Sequence, residues 1–319
     1  MDQRLNPYTP GSGVKPLKLA GRDSHLESFR LLLERLSDGR PERSLIYSGL
    51  RGVGKTVLLL EFETLARESG WVCNDVEEVG SGDFRQTFAE LAYQLLLSMS
   101  RRERMQKRAS KALGVLKAFS VGIPGGFSAR IDVEAARGTA DSGDPERDLA
   151  ALLVEVGQVA KSGGTGAVFF LDEMQGLNDT ALAAVCMAMH RVGQRELPVA
   201  LVGAGLPPLP RLLRMAKPYA ERMFAYQELD RLTDAEARTA LVAPAAMAEV
   251  GIGAVRTAEV AARAGYKDSA GASVVRDALL RKDLVYSPRR GLSSSRFPCS
   301  ANICEGSIRL RASTSRAAL

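Results

Sequence analysis

Short apolar runs alternate with stretches of helical spacing along most of the chain. The runs at Arg43–Gly49, Trp71–Val79, Gly166–Gly176, Leu197–Gly205 and Arg222–Leu229 are strand-length, and several carry apolar residues at consecutive positions, as strands buried on both faces do. Between and beside them, Lys55–Gly70, Asp83–Met99, Pro145–Lys161 and Asn178–Val192 have the period of helices. Strands alternating with helices predict a parallel sheet covered on both faces, an α/β architecture. Thr233 and Glu236 have the spacing of a capping box that starts one more helix.

Two segments break the alternation. The insert Arg101–Gly143 matches no core element; its stretch RRERMQKRASK places Arg101, Arg104, Arg108 and Lys111 near one helical face, which reads as a solvated face or as a contact for nucleic acid or a partner. The segments FSVG and FSARIDV on either side of a Pro-Gly-Gly turn predict a small hairpin. From Val255 to Gly291 the pattern becomes helix, glycine-containing turn, helix and a strand LVYS followed by basic residues, the order of a winged helix-turn-helix. Ser293–Leu319 has no period and reads as a disordered tail. With permissible synonymous codons, its nucleotides one frame over give Glu-Phe-Thr-Val-Pro-Leu-Phe-Ser-Glu-Tyr-Leu-Arg-Gly, which suits a wing strand, so the tail is read as the product of a frameshift. The expected organisation is an N-terminal extension over 1–18, an α/β domain over 19–250, a winged helix over 254–292 and the tail over 293–319.

Composition narrows the class. At 319 residues and 45% hydrophobic content the chain can bury a sizeable core, and no run of about eighteen apolar residues suggests a membrane span. The polar, Pro-rich start is unlike a secretory signal, which points to the cytoplasm. Cys73, Cys186, Cys299 and Cys304 lack metal-ligand spacing, and with only His25 and His190 beside them they predict reduced, structural thiols rather than a zinc site. Through Val250 the chain has 31 Lys+Arg against 32 Asp+Glu, and beyond it 12 against 5. The excess positive charge at that end fits an anionic partner such as nucleic acid, or an exposed basic tail.

Chemistry enters with the stretch YSGLRGVGKT, Tyr47 to Thr56, between the first strand and the first long helix. Its spacing is G-x-x-x-x-G-K-T. Glycines let successive backbone N–H groups turn inward onto an anion at a helix N-terminus, the lysine reaches the outer phosphates and the threonine hydroxyl binds Mg²⁺. The expected contacts to ATP are therefore Gly49, Leu50, Arg51, Gly52, Val53, Gly54, Lys55, Thr56 and Val57. A second motif, GAVFFLDEMQG, ends an apolar strand in two acids. Asp172 is expected to bind Mg²⁺ through water, and Glu173 to polarise the water that attacks the γ-phosphate.

With both motifs in place, the chain resembles AAA+ P-loop ATPases of the branch that includes origin-recognition initiators and bacterial STAND-like ATPases. LAGRDSHLESF, Leu19 to Phe29, resembles the Gly-Arg-Asp box of that group, which implies that Gly21 and Arg22 lie against the adenine. VGAGLPPLP, Val202 to Pro210, is similar to the segment after the fourth strand, whose end in the family carries a polar sensor of the γ-phosphate; this chain has Gly203, Ala204 and Gly205 there. YAERMF matches the position from which an arginine reaches nucleotide or a neighbouring subunit, which makes Arg222 the candidate. The winged helix resembles the C-terminal domain of the same ATPases, with Arg276, Arg281, Lys282, Arg289 and Arg290 as candidate DNA contacts. The family's helical lid has no counterpart in the ten or so residues between the capping-box helix and the winged helix. These features imply an ATPase that drives or switches a DNA- or protein-bound assembly, or a nucleotide-binding regulator with little turnover.

Overall fold

The computed structural model describes residues 19–80, 83–101, 105–121, 123 and 127–240, and the backbone of 255–256, 285–286 and 292–295. The chain divides into two compact units, one built on Gly21–Leu232 and the other on Thr233–Leu319 with short N-terminal pieces. The division falls earlier than the expected domain end at residue 250.

The first unit opens with α1 (Asp23–Ser37), then β1 (Ser44–Ser48), α2 (Lys55–Glu68), β2 (Val72–Cys73), β3 (Glu77–Glu78) and α3 (Phe84–Ser100). Next come α4 (Gln106–Phe119), α5 (Pro145–Ser162), β4 (Ala167–Asp172), α6 (Asp179–Gln194), β5 (Val199–Gly205), α7 (Leu209–Ala216), α8 (Ala220–Met223) and β6 (Phe224–Glu228). The six strands form one sheet in the order β2-β4-β5-β1-β6, with β3 also on β4, and every pairing is parallel. Parallel strands need a helix in each crossover, and that requirement is what the alternating sequence pattern expressed.

Alternation along the strands assigns the layers. Tyr47 and Phe170 stack with Phe62 of α2 and Phe29 of α1 on one face. Their neighbours Ile46, Phe169 and Leu171 point the other way, into the cluster made with α3–α7. β4 and β5 are buried at every position, as wholly apolar runs require.

The run Trp71–Val79, expected as one strand, is two. Asn74 lies between them, buried, and its side-chain amide pairs with the Phe170 backbone in both directions, donating to the carbonyl at 3.0 Å and accepting from the N–H at 2.9 Å. A side chain thereby substitutes for one rung of the ladder where the edge strand leaves it.

The insert is a correction. Its helix α4 packs between α3 and α5 and buries Ala109, Ala112, Val115, Leu116 and Phe119, so it belongs to the core. The expected hairpin is absent among the described residues: Phe127–Arg130 is a 3₁₀ turn. The segment after it lies against α4 at Gly114, where a Cβ would come within 2.8 Å of the Glu134 carbonyl oxygen, and Lys117 donates to the carbonyls of Ile131 and Val133. Arg108 and Lys111 are exposed, and Lys111 pairs with Glu155 at 3.3 Å.

In the second unit the capping box is present: Thr233 N–H donates to the Glu236 carboxylate at 2.8 Å and Glu236 N–H to the Thr233 hydroxyl at 3.4 Å, at the start of a helix over 234–240. Three short strands, β7 (Val255–Arg256), β8 (Val285–Tyr286) and β9 (Leu292–Ser295), form an antiparallel sheet in the order β7-β9-β8. The tail expected to begin at Ser293 therefore begins inside a strand. The helices expected between β7 and β8 lie outside the described residues.

Candidate functional site

The loop from β1 to α2 sits at the carboxyl edge of the sheet. Gly52 and Gly54 have φ of 80° and 92°, in the left-handed region where a side chain is strained, so the turn needs glycine at both. Gly49 is required for a different reason: a Cβ there would collide with the Leu229 carbonyl oxygen. Leu229 N–H donates to the Ser48 carbonyl at 2.7 Å, holding the end of β6 against the start of the loop. Arg22, 6% exposed, donates through Nη2 to the carbonyls of Val53 at 3.0 Å and Asp230 at 2.7 Å. This guanidinium is a strut between the loop and the segment after β6.

Lys55, also 6% exposed, donates from Nζ to the carbonyls of Gly49 and Leu50, both at 3.0 Å. Its charge is held within the loop at the N-terminus of α2, where the aligned backbone dipoles add further positive potential.

β4, one strand beyond β5 from β1, brings in the acids. Asp172, 4% exposed, accepts from the Thr56 hydroxyl at 2.5 Å and from the Glu173 N–H at 2.8 Å. The two motifs, 116 residues apart, thus meet through one hydrogen bond. Their oxygens suit Mg²⁺, a hard cation bound through one or two carboxylates, a hydroxyl and substrate phosphates. Among the described residues no cluster of three His, Cys, Asp or Glu could hold a metal by itself.

Glu173 has φ 53° and ψ 36°, a left-handed conformation uncommon for a glutamate. Its carboxylate accepts from the side-chain amide of Gln175, and Gln175 Oε1 accepts from the Leu206 N–H at 2.9 Å. Sequence reasoning passed over Gln175; the glycines at the end of β5 were the available sign of it. A Cβ at Gly203 would strike the Met174 sulfur, and one at Gly205 would lie 2.5 Å from Gln175 Oε1. Gly203 and Gly205 carry no side chain, and the turn after β4 fills the space one would take.

Arg222 is not brought to this site. It precedes β6, whose register with β1 runs from Ser44↔Phe224 to Ser48↔Glu228, so it lies at the amino edge of the sheet. There it lines a cleft of about 390 Å³ with Arg40, Arg43 and His190. The neighbouring Glu221 pairs with Arg214 at 3.4 Å. Arg276, Arg281, Lys282, Arg289 and Arg290 lie outside the described residues. Cys73 and Cys186 are buried, and burial pushes each thiol up to about 12, as unreactive structural cysteines require. No described helix is long and apolar enough to cross a membrane.

The profile of the AAA ATPase domain family matches residues 18–202, more than half of the chain. The chain belongs to that family. A second stretch of this AAA ATPase, residues 222–299, matches a domain of unknown function (DUF8462), which covers β6 and the C-terminal strands. No curated protein matches it. Among solved structures it is similar to AMPPCP-bound DnaA from Aquifex aeolicus, at 14% identity and a TM-score of 0.37 over 88% of this chain and 65% of that one. It thus spans less than two thirds of that DnaA chain. It is also similar to Aeropyrum pernix ORC1 in complex with DNA, at 12% identity and a TM-score of 0.38 over 88% of this chain and 89% of that one.

Proposed function

We propose that this AAA ATPase binds Mg²⁺–ATP in the Gly49–Thr56 loop and hydrolyses it, using the nucleotide state to drive or switch a DNA- or protein-bound assembly. The observation that carries this reading is the hydrogen bond between Thr56 and Asp172, which joins the phosphate loop to the acidic strand end. Loop N–H groups and the Lys55 ammonium take the phosphate charge. Thr56 and Asp172 would hold Mg²⁺, which supplies charge neutralisation at the transferred phosphoryl group. Glu173 accepts the proton of the attacking water. Arg222 faces away from this chain's own loop, so its role in hydrolysis is assigned to the nucleotide of a neighbouring subunit. The basic residues from Arg276 to Arg290 are the proposed DNA contacts, and the fold of segment 254–292 is proposed as a winged helix; the antiparallel order of β7, β9 and β8 supports it.

The test is steady-state ATP hydrolysis by the purified chain, with Mg²⁺ or chelator, beside Glu173→Gln, and with duplex DNA present or absent. Turnover that needs Mg²⁺ and falls at least about a hundredfold in Glu173→Gln is expected. Tight nucleotide binding with no turnover above the variant would replace this reading with the second one, a regulator in which ATP is a structural ligand. The absence of polar side chains from the end of β5 is what favours that alternative.

A further inference from the structure

The turn after β4 contains a polar contact that the scheme above leaves unused. Glu173 Oε2 accepts from Gln175 Nε2, and the other end of the same amide, Oε1, accepts from the backbone N–H of Leu206 at 2.9 Å, just past β5. The chemistry of the partners fixes which end is which. An ionised carboxylate only accepts and a backbone N–H only donates, so the bridging group must donate at one end and accept at the other. A glutamine amide meets that demand, whereas glutamate, lysine and leucine do not.

The surroundings are shaped to this bridge. Gly205 leaves the space that Oε1 occupies, since a Cβ there would sit 2.5 Å from it. The turn is closed by Gly176 N–H donating to the Glu173 carbonyl at 2.8 Å, and it holds Glu173 in its left-handed conformation. A carboxylate on such a backbone needs a second point of attachment to stay in one place, and Gln175 provides it by tying Glu173 to the neighbouring strand.

We propose that Gln175 is the positioning residue for Glu173, replacing with a side chain from the β4 turn the polar group that β5 lacks at Gly203, Ala204 and Gly205. This inference rests on the ATPase reading above. It predicts that Gln175 acts on turnover and leaves nucleotide affinity alone, because its amide touches Glu173 and Leu206 and neither the phosphate loop nor Asp172.

The experiment measures kcat and KM for ATP, the Kd of a fluorescent ATP analogue, and the melting temperature of the parent chain, Gln175→Leu and Gln175→Glu. Gln175→Leu removes both ends of the bridge. Gln175→Glu keeps the acceptor for Leu206 and removes the donor to Glu173, which protects against a variant that merely fails to fold. The expected result is a fall in kcat of about tenfold to a hundredfold in both variants, with Kd and KM within about twofold of the parent. Parent-like kcat in a folded Gln175→Leu would overturn the proposal, as would parent-like kcat in Gln175→Glu should the leucine variant not fold. A matching rise in Kd would overturn it too, by making Gln175 a strut of the whole site. A parent chain that binds the analogue without turnover overturns the ATPase reading itself, and the positioning role with it; active variants beside an active parent overturn the positioning role alone.

Discussion

Glu173 shows how a single residue carries two opposed demands. Its left-handed backbone costs a side chain about 1 kcal/mol relative to glycine, yet the proposed chemistry needs the carboxylate. Glu173→Gly should therefore be more stable than Glu173→Ala by about 1 kcal/mol, both being inactive. Denaturant unfolding of the two variants decides it, and equal stabilities would contradict the backbone conformation. At this scale the sequence was legible where a residue type has one job. The spacing of Gly54, Lys55 and Thr56 and the pair Asp172 and Glu173 marked two segments as one candidate site, and the fold joins them through Thr56 and Asp172. It was illegible where a residue's job depends on a distant neighbour. Gln175 is one more residue of the acidic motif until Leu206 is beside it, and Asn74 one more position in a single strand until it is seen completing the ladder at Phe170. The glycines at the end of β5 looked like a missing side chain, although they leave the space that Met174 and Gln175 occupy.

At the scale of elements, periodicity placed the strands of the main sheet, with β2 and β3 as one run, and the helices α2, α3, α5 and α6, because burial on both faces or along one stripe leaves a direct mark in composition; it did not place α1 or α4. It failed for the insert. The basic residues of α4 drew attention to its outer face, while the small residues Ala109, Ala112 and Gly114, which let α3, α5 and the segment 134–136 approach, carry little signal. If α4 is integral, truncating its last buried residue must destabilise the whole unit. Phe119→Ala removes a fully buried ring, over which the Arg85 guanidinium sits at 5.2 Å, and should cost about 3–5 kcal/mol. Thermal unfolding unchanged by this substitution would return α4 to the status of an appendage. The predicted hairpin failed for a related reason: a turn sequence between two short apolar segments sets the bend, but the packing against α4 decides what flanks it.

For the whole molecule, charge separates the two ends. The C-terminal excess of Lys and Arg predicts duplex binding governed by phosphate contacts, with log affinity falling against log salt by about 0.9 per contact. Competition binding between low and moderate salt measures that slope, and a flat response would remove nucleic acid from the proposed partners. The sheet order has a different consequence for how such chains diversify. Because Gln175 and the end of β5 occupy one volume, the two positions are tied by arithmetic of size. A chain that carries a side chain at position 205 must make room at residue 175, and at Leu209 beside it, so positions 175 and 205 should change together across related chains.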